Sequence, residues 1–175
     1  MTVGMSTTTV LGVDPGSRVT GLGIVASKGS QLQHCYSESI RTGDGSLGER
    51  LAVIYSAVSD AITRYRPDSI AIEQVFVSKN PRSALVLGHA RGSAVLAAVH
   101  HQLPMAEYSA LEIKRAVVGT GSASKTQVQH MVRVLLNLQR KPPLDASDGL
   151  ACAICHIHTA SGLDRMAGVR QVISS

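Results

Sequence analysis

The strongest constraint on the fold is the order of extended and helical segments along the chain. Residues 10–13 form a short apolar run that ends at the turn sequence of residues 14–17, because Pro and Gly together stop a strand sharply. Residues 21–26 and 31–40 predict the two further strands of a hairpin. Three strands followed by alternating helices and strands are typical of an α/β fold with a mixed sheet flanked by helices.

The rest of the chain alternates between helical and extended patterns. Apolar residues recur at helical spacing over residues 46–65, which predicts an amphipathic helix that ends before Pro67. A second helix is predicted over residues 81–102, where Gly88 and Gly92 favour close packing and nearly all-round burial. The remaining predicted elements are strands over 69–73 and 105–108 and helices over 109–117, 125–136 and 144–161.

Length and composition predict one folded unit. The chain has 175 residues, of which 44% are hydrophobic and 17% charged, so it can bury a substantial core. We expect a single domain over residues 1–175, with disordered ends at residues 1–8 and about 162–175.

Charge and cysteine content restrict the partner and the compartment. Seventeen Lys and Arg against 12 Asp and Glu suit a polyanionic partner without requiring one. Residues 1–9 lack the basic and apolar segments of a signal peptide, and the apolar stretches are interrupted too early for a membrane span. Three cysteines, an odd number, indicate reduced thiols. We therefore expect a cytoplasmic protein without disulfides.

Four carboxylates occupy places where a fold can bring them together. Asp14 follows the first predicted strand, Glu73 ends the fourth, and Asp145 and Asp148 lie three apart at the start of the last helix. Separately, Asp14 also fits a turn and the helix acids fit a helix N-terminus. Together, oxygen ligands of this kind favour Mg²⁺ or Mn²⁺, and a pair of such ions supports phosphodiester hydrolysis.

Five segments, spread over about residues 9–160, form an ordered series of motifs. They are VDPGSRVTG at 13–21, AIEQVF at 71–76, SALVLGHARG at 83–92, VVGTGSASK at 117–125 and DASDGLA at 145–151. This series resembles the motifs of the bacterial RuvC-type Holliday-junction resolvases, which have the RNase H-like fold. A departure is Gly149, at a position where relatives often carry Ala.

The resemblance implies a function, a cofactor and partners. It implies a homodimeric endonuclease that nicks two strands of like polarity in a four-way DNA junction during recombination and repair. The cofactor implied is Mg²⁺, with Mn²⁺ able to substitute and two ions in each active site. The partners implied are junction DNA and branch-migration motor proteins of the RuvA and RuvB type.

The resemblance also assigns roles to particular residues. The catalytic, metal-binding carboxylates fall on Asp14, Glu73, Asp145 and Asp148. The aromatic residue that faces the junction falls on Phe76, the only Phe of the chain, where a ring can stack on an unpaired base. The DNA-contacting lysines fall on Lys114 and Lys125, and Arg82 and Arg91 are weaker candidates of the same kind.

Two other functions remain open on sequence alone. A junction-binding scaffold without catalysis would keep the same fold. An actin-like nucleotide-binding module could use the Asp-Pro-Gly turn to bind phosphate, although such proteins are much longer.

The segment Cys152 to His156 matches a haem-attachment pattern. Its two cysteines continue the helix stripe below Asp148, however, which indicates buried thiols.

Overall fold

The computed structural model describes residues 6–75 and 80–173, with side chains through residue 162. Five strands form one mixed sheet, in the order β3-β2-β1-β4-β5. Strand β1 is antiparallel to β2 and parallel to β4, and β4 is parallel to β5. The strands are β1 (Thr7–Asp14), β2 (Val19–Lys28), β3 (Gln31–Arg41), β4 (Ser69–Glu73) and β5 (Met105–Tyr108). The predicted mixed five-stranded sheet is confirmed.

Helices pack on both faces of this sheet. They are α1 (Leu47–Tyr65), α2 (Pro81–His100), α3 (Ala110–Val118), α4 (Lys125–Leu135) and α5 (Leu144–Ile173). Ser46, Ser109 and Ser124 are the N-caps of α1, α3 and α4. In each helix the residue three positions after the serine completes a capping box. Helix α3 ends at Gly119, whose φ of 93° is a left-handed conformation that costs Gly little.

The alternation of side chains along the strands divides the core into two layers. Leu11, Leu22 and Ile70 pack with α1 and α2, whereas Val10 and Val25 face α3, α4 and α5 on the other side. All five of these side chains are fully buried, and each contributes about 1.5–3 kcal/mol of hydrophobic stabilisation. The sheet therefore separates two cores.

Helix α5 lies unusually close to the sheet because glycines face it. A Cβ added to Gly12 would lie 2.0 Å from the carbonyl oxygen of Gly149, and one added to Gly21 would lie 1.8 Å from that of Asp145. A Cβ at Gly23 would lie 2.4 Å from the backbone nitrogen of Leu150. The backbone of α5 thus rests on the backbones of β1 and β2, where no larger residue leaves room.

Gly149 is part of the same contact. A Cβ at this position would lie 2.8 Å from the carbonyl oxygen of Gly21. Glycine at position 149, in place of Ala, therefore matches the tight approach of α5 to the sheet in this chain. It affects this contact as well as the helix propensity of the first turn.

The expected all-round burial of α2 is wrong. Its buried residues are small, namely Ala90, Ala94, Ala97 and Ala98. Three of its large aliphatic side chains are instead exposed, with Leu85 at 64%, Leu96 at 59% and Val99 at 61%. A Cβ at Gly88 or Gly92 would meet nothing within 4 Å among the described residues, so these glycines mediate no close packing there. An apolar composition alone did not reveal which face was covered.

The first strand and the last helix extend into the segments that were predicted as disordered ends. Strand β1 begins at Thr7, because the ladder with β2 extends to the pair Thr7 and Lys28. Helix α5 continues to Ile173, past the predicted end at residue 161. Of the other residues in these predicted ends, Ser6 is described, and residues 1–5 and 174–175 lie outside the described residues.

Among the described helices, none combines the length and the apolar character that a membrane crossing needs.

Replacing Gly12 by Ala tests the contact between α5 and the sheet. The new methyl group would meet backbone atoms that cannot turn away, so we expect the free energy of unfolding to fall by about 2 kcal/mol or more. The matched control is Gly48→Ala, at an exposed position in α1 with nothing within 4 Å. Chemical denaturation should show a neutral or stabilising effect for this control. Equal effects of the two substitutions would contradict the tight contact.

Candidate active site

Two of the predicted carboxylates lie side by side at the carboxyl ends of parallel strands. Val13 of β1 is paired with Ile72 of β4, so the next residues, Asp14 and Glu73, are neighbours at the same sheet edge. Because side chains alternate along a strand, Asp14 lies on the face of Gly12, which is the face that α5 covers. The sheet register therefore presents both carboxylates toward α5.

Helix α5 adds a third carboxylate to the same place. Asp148 lines a pocket of about 150 Å³ together with Asp14 and Glu73. The other lining residues are Ala110, Ile113, Lys114, Lys125 and Val128. Asp145 does not line this pocket, although its charge is near enough to raise the pKa of Asp14 and that of Asp148.

Burial and like charges make the ionised carboxylates unfavourable. Burial, followed by the negative charges of Glu73 and Asp148, raises the pKa of Asp14 to about 8. Burial is also the main cause that raises the pKa of Glu73 and that of Asp148. The site therefore stabilises positive charge placed among these three groups.

Two lysines partly neutralise the cluster. The Nζ of Lys125 donates a hydrogen bond of 3.1 Å to Oδ2 of Asp148. The carboxylate of Asp148 is the main cause that raises the pKa of Lys125. Lys114 lines the pocket as well, and its charge opposes the increase in the pKa of Glu73 and of Asp148. The pocket thus carries three acidic and two basic side chains.

The donor atoms fit a hard divalent cation. His156 lies on α5, but its Nδ1 is 2.8 Å from the hydroxyl of Tyr108, and Nδ1 of His158 is 3.0 Å from the carbonyl oxygen of Ala116. The ionisable donors of the pocket itself are carboxylate oxygens and lysine amines, and the oxygens suit Mg²⁺ or Mn²⁺ rather than zinc. Within residues 6–75 and 80–162, however, no group of three or more His, Cys, Asp or Glu is already arranged to hold an ion. The carboxylates line one pocket without forming a complete ligand set.

The two predicted DNA-contacting arginines do not line this pocket. Arg91 of α2 forms an ion pair with Glu107 of β5, so its guanidinium is engaged within the chain. Arg82 is exposed in the first turn of α2. Phe76 lies outside the described residues. Of the predicted basic residues, the structure brings only Lys114 and Lys125 to the carboxylates.

The two cysteines of the haem-like pattern are buried free thiols. Cys152 is fully buried one helical turn after Asp148, and burial raises its pKa well above the usual value. Burial also raises the pKa of Cys155 to about 11. Both groups therefore stay protonated and unreactive near neutral pH, as their helix stripe predicts.

Three residues of the pocket wall were not identified from the sequence. Ala110 and Ile113 of α3 and Val128 of α4 form its apolar side. Ile113 and Val128 belong to the core-facing stripes of their helices and are almost fully buried. Helical periodicity identifies them as core residues, but it carries no information on which core residues border a carboxylate.

Comparison with known proteins identifies close relatives. Residues 10–156 match the family model described as crossover junction endodeoxyribonuclease RuvC. A protein of that name from Tolumonas auensis is 52% identical over 161 residues, which cover 92% of this chain and 93% of the relative. One from Vibrio cholerae is 55% identical over 159 residues, covering 91% of this chain and 92% of the relative.

Solved structures agree with these sequence matches. The structure described as T. thermophilus RuvC in complex with Holliday junction substrate has a TM-score of 0.82 and 33% identity, over 87% of this chain and 94% of that one. The yeast mitochondrial Holliday junction resolvase Ydc2 has a TM-score of 0.69 at 12% identity, over 94% of this chain and 83% of that one, and supports the fold alone. The predicted RNase H-like fold is confirmed.

The raised pKa of Asp14 predicts how pH affects stability. Between about pH 4 and pH 8 the folded chain keeps a proton on Asp14 that the unfolded chain loses, so stability falls as pH rises through this range. We expect the free energy of unfolding of metal-free protein to decrease between these values, as measured by denaturation at several pH values.

The variant Asp14→Asn should show a smaller decrease, because an amide does not titrate there. Part of the decrease should remain, since the pKa values of Glu73 and Asp148 are raised too. The matched control is Asp60→Asn, an exposed aspartate in α1, which should keep the full decrease. A wild-type stability independent of pH, or identical slopes for wild type and Asp14→Asn, would refute the assignment.

Proposed function

Because the chain belongs to the family of the crossover junction endodeoxyribonuclease RuvC, we propose that it resolves four-way (Holliday) DNA junctions. It does so by hydrolysing phosphodiester bonds in two strands of like polarity. The observation that carries this proposal is the pocket in which Asp14, Glu73 and Asp148 meet Lys114 and Lys125. A small pocket with both acidic and basic side chains suits a reaction at a phosphate, because the carboxylates can bind a cation and the lysines can bind the DNA polyanion.

The proposed cofactor is Mg²⁺, with Mn²⁺ able to substitute and two ions in each active site. Asp14, Glu73, Asp145 and Asp148 would hold the ions. Bound ions of this kind activate water and stabilise the leaving oxygen of a phosphodiester. The chain itself contributes rigidity, because Asp14 and Glu73 end paired strands and Asp148 lies on a helix fixed to the sheet. Cations would also offset the burial and the like-charge repulsion that together raise the pKa of Asp14.

Lys114 and Lys125 are the proposed phosphate contacts. Lys125 bonds to Asp148, and its ammonium would be free to contact a DNA phosphate if the carboxylate of Asp148 held a metal ion. Phe76, three residues after Glu73, is proposed to stack on an unpaired base of the junction. Arg82 is exposed and remains a candidate DNA contact, whereas the ion pair of Arg91 with Glu107 argues against that role.

The proposed active form is a homodimer, since two symmetrical cuts need two equivalent sites. Its interface is the exposed face of α2 on which Leu85, Gly88, Gly92, Leu96 and Val99 follow at spacings of three and four. The two glycines of this α2 stripe have open space above them, so the backbone of a second copy can approach closely. Large exposed aliphatic side chains on one helix face favour an interaction surface.

The proposed cellular setting follows from the family. The enzyme would act in homologous recombination and DNA repair in the cytoplasm, together with branch-migration motors of the RuvA and RuvB type. A non-catalytic junction-binding scaffold is the second candidate function. The observation that favours it is that the described carboxylates are not yet arranged around an ion position.

Cleavage of a synthetic four-way junction tests the two candidates. With Mg²⁺ the wild-type protein should produce paired nicks, whereas Asp14→Asn should bind the junction with about the same affinity and cut at least about 1,000-fold more slowly. Binding is measured by gel shift without Mg²⁺. The control Asp60→Asn should cut like wild type. Tight binding without nicks by the wild type would establish the scaffold, and normal cutting by Asp14→Asn would remove Asp14 from the site.

A charge in the α2 stripe tests the dimer. Leu96→Glu should raise the dissociation constant of the dimer by about 100-fold or more, because it buries an unpaired carboxylate in the interface. Analytical ultracentrifugation measures this constant. The control is Val134→Glu, a similarly exposed aliphatic residue on α4, at 49% exposure. A wild-type monomer at all concentrations, or a dimer unaffected by Leu96→Glu, would exclude this interface.

A further inference from the structure

The loop that follows Asp14 is fixed from the face of the sheet opposite the carboxylates. Residues 15–18 connect β1 to β2 within the motif DPGSR. The loop is tight, since a Cβ at Gly16 would lie 2.0 Å from the carbonyl oxygen of Val19. Asp14 is the last residue of β1 and is paired with Gly21, so its position depends on how this loop closes.

Thr20 closes the first half of the loop. Its hydroxyl donates to the carbonyl oxygen of Gly16 at 2.9 Å and accepts from the Gly16 N–H at 3.2 Å. The side chain is fully buried and lies on the same side of β2 as Leu22, which packs toward α1 and α2. A buried hydroxyl with both functions satisfied is a rigid connection, because losing either bond leaves a polar group unpaired.

Thr42 and Arg50 hold the second half. The hydroxyl of Thr42 donates to the carbonyl oxygen of Ser17 at 2.8 Å, and its N–H donates to that of Arg18 at 3.1 Å. Nη1 of Arg50, on α1, donates to the same Ser17 oxygen at 3.1 Å. Thr42 is 6% exposed, so it too is a buried polar group committed to the loop.

We propose that Thr20 and Thr42 are positioning residues, which fix the loop after Asp14 and so hold its carboxylate where a divalent cation and a DNA phosphate meet. Neither threonine lines the pocket, so each acts through the backbone on Asp14. The inference rests on the proposed nuclease function. Displacing a catalytic group by about 1 Å can reduce a rate by about 100-fold, so loss of one hydroxyl bond can act at a distance.

The test compares variants that keep the shape of the side chain with one that keeps its hydroxyl. Thr20→Val and Thr42→Val remove the hydrogen bonds of the hydroxyls, while Thr20→Ser preserves the hydroxyl. The control is Ser93→Ala, because the Ser93 hydroxyl also donates to a backbone oxygen, that of Leu51, but joins α1 and α2. Each variant is measured for kcat and KM on a synthetic junction, for Mn²⁺ affinity without DNA by calorimetry, and for Tm.

The two valine variants should lower kcat by about 10-fold or more and weaken Mn²⁺ binding, with KM for the junction nearly unchanged. Thr20→Ser should recover most of both values, and Ser93→Ala should change Tm alone. The proposal is overturned if Thr20→Val keeps wild-type kcat and Mn²⁺ affinity, whatever its Tm, or if Thr20→Ser is as impaired as Thr20→Val. If Thr20→Val does not fold, Thr42→Val decides by the same criterion.

This outcome is separable from that of the proposed function. A wild-type protein that binds junctions without cutting them refutes the nuclease proposal. A wild-type protein that cuts, an inactive Asp14→Asn variant and a fully active Thr20→Val variant refute the positioning role alone.

Discussion

The direct contact between the backbone of α5 and the backbones of β1 and β2 is the constraint on which the site depends. Gly12 and Gly21 leave no side chain between the helix and the sheet, and Gly149 completes the contact from the helix. A single added methyl group would push against carbonyl oxygens rather than flexible atoms. Because the backbone of α5 is in contact with the sheet, Asp148 lies beside the ends of β1 and β4. Backbone packing therefore places a carboxylate of α5 in the pocket.

The same closeness creates an electrostatic conflict that the chain resolves only in part. Burial, followed by the negative charges of Glu73 and Asp148, raises the pKa of Asp14 to about 8. Of the three carboxylates in the pocket, Lys125 bonds only to that of Asp148. This arrangement lowers the stability of the metal-free protein and increases its affinity for cations. Functional sites commonly reduce the stability of the fold in this way. The proposed metal requirement and the stability of the fold are thus two consequences of one cluster of charges.

The rest of the molecule supports the site from both sides of the sheet. Thr20 and Thr42 fix the loop after Asp14 from the α1 side, while α3 and α4 supply Lys114 and Lys125 from the other. Helix α2 contributes its small residues to the core and keeps Leu96 and Val99 exposed. Within one chain this exposure is unfavourable, but it is explained if a second copy covers the stripe, as two symmetrical cuts would need.

The sequence by itself determined the strands, the helices and the sheet edge at which Asp14 and Glu73 meet, because alternation, helical spacing and turn residues are local properties. Only the tertiary structure decided that Asp148 lines the pocket while Asp145 does not. Only it separated Gly12, which touches a helix backbone, from Gly88, which touches nothing described. The physical reason is that a residue's type limits which contacts it can make, whereas the neighbour that makes them is set by segments far away in the chain.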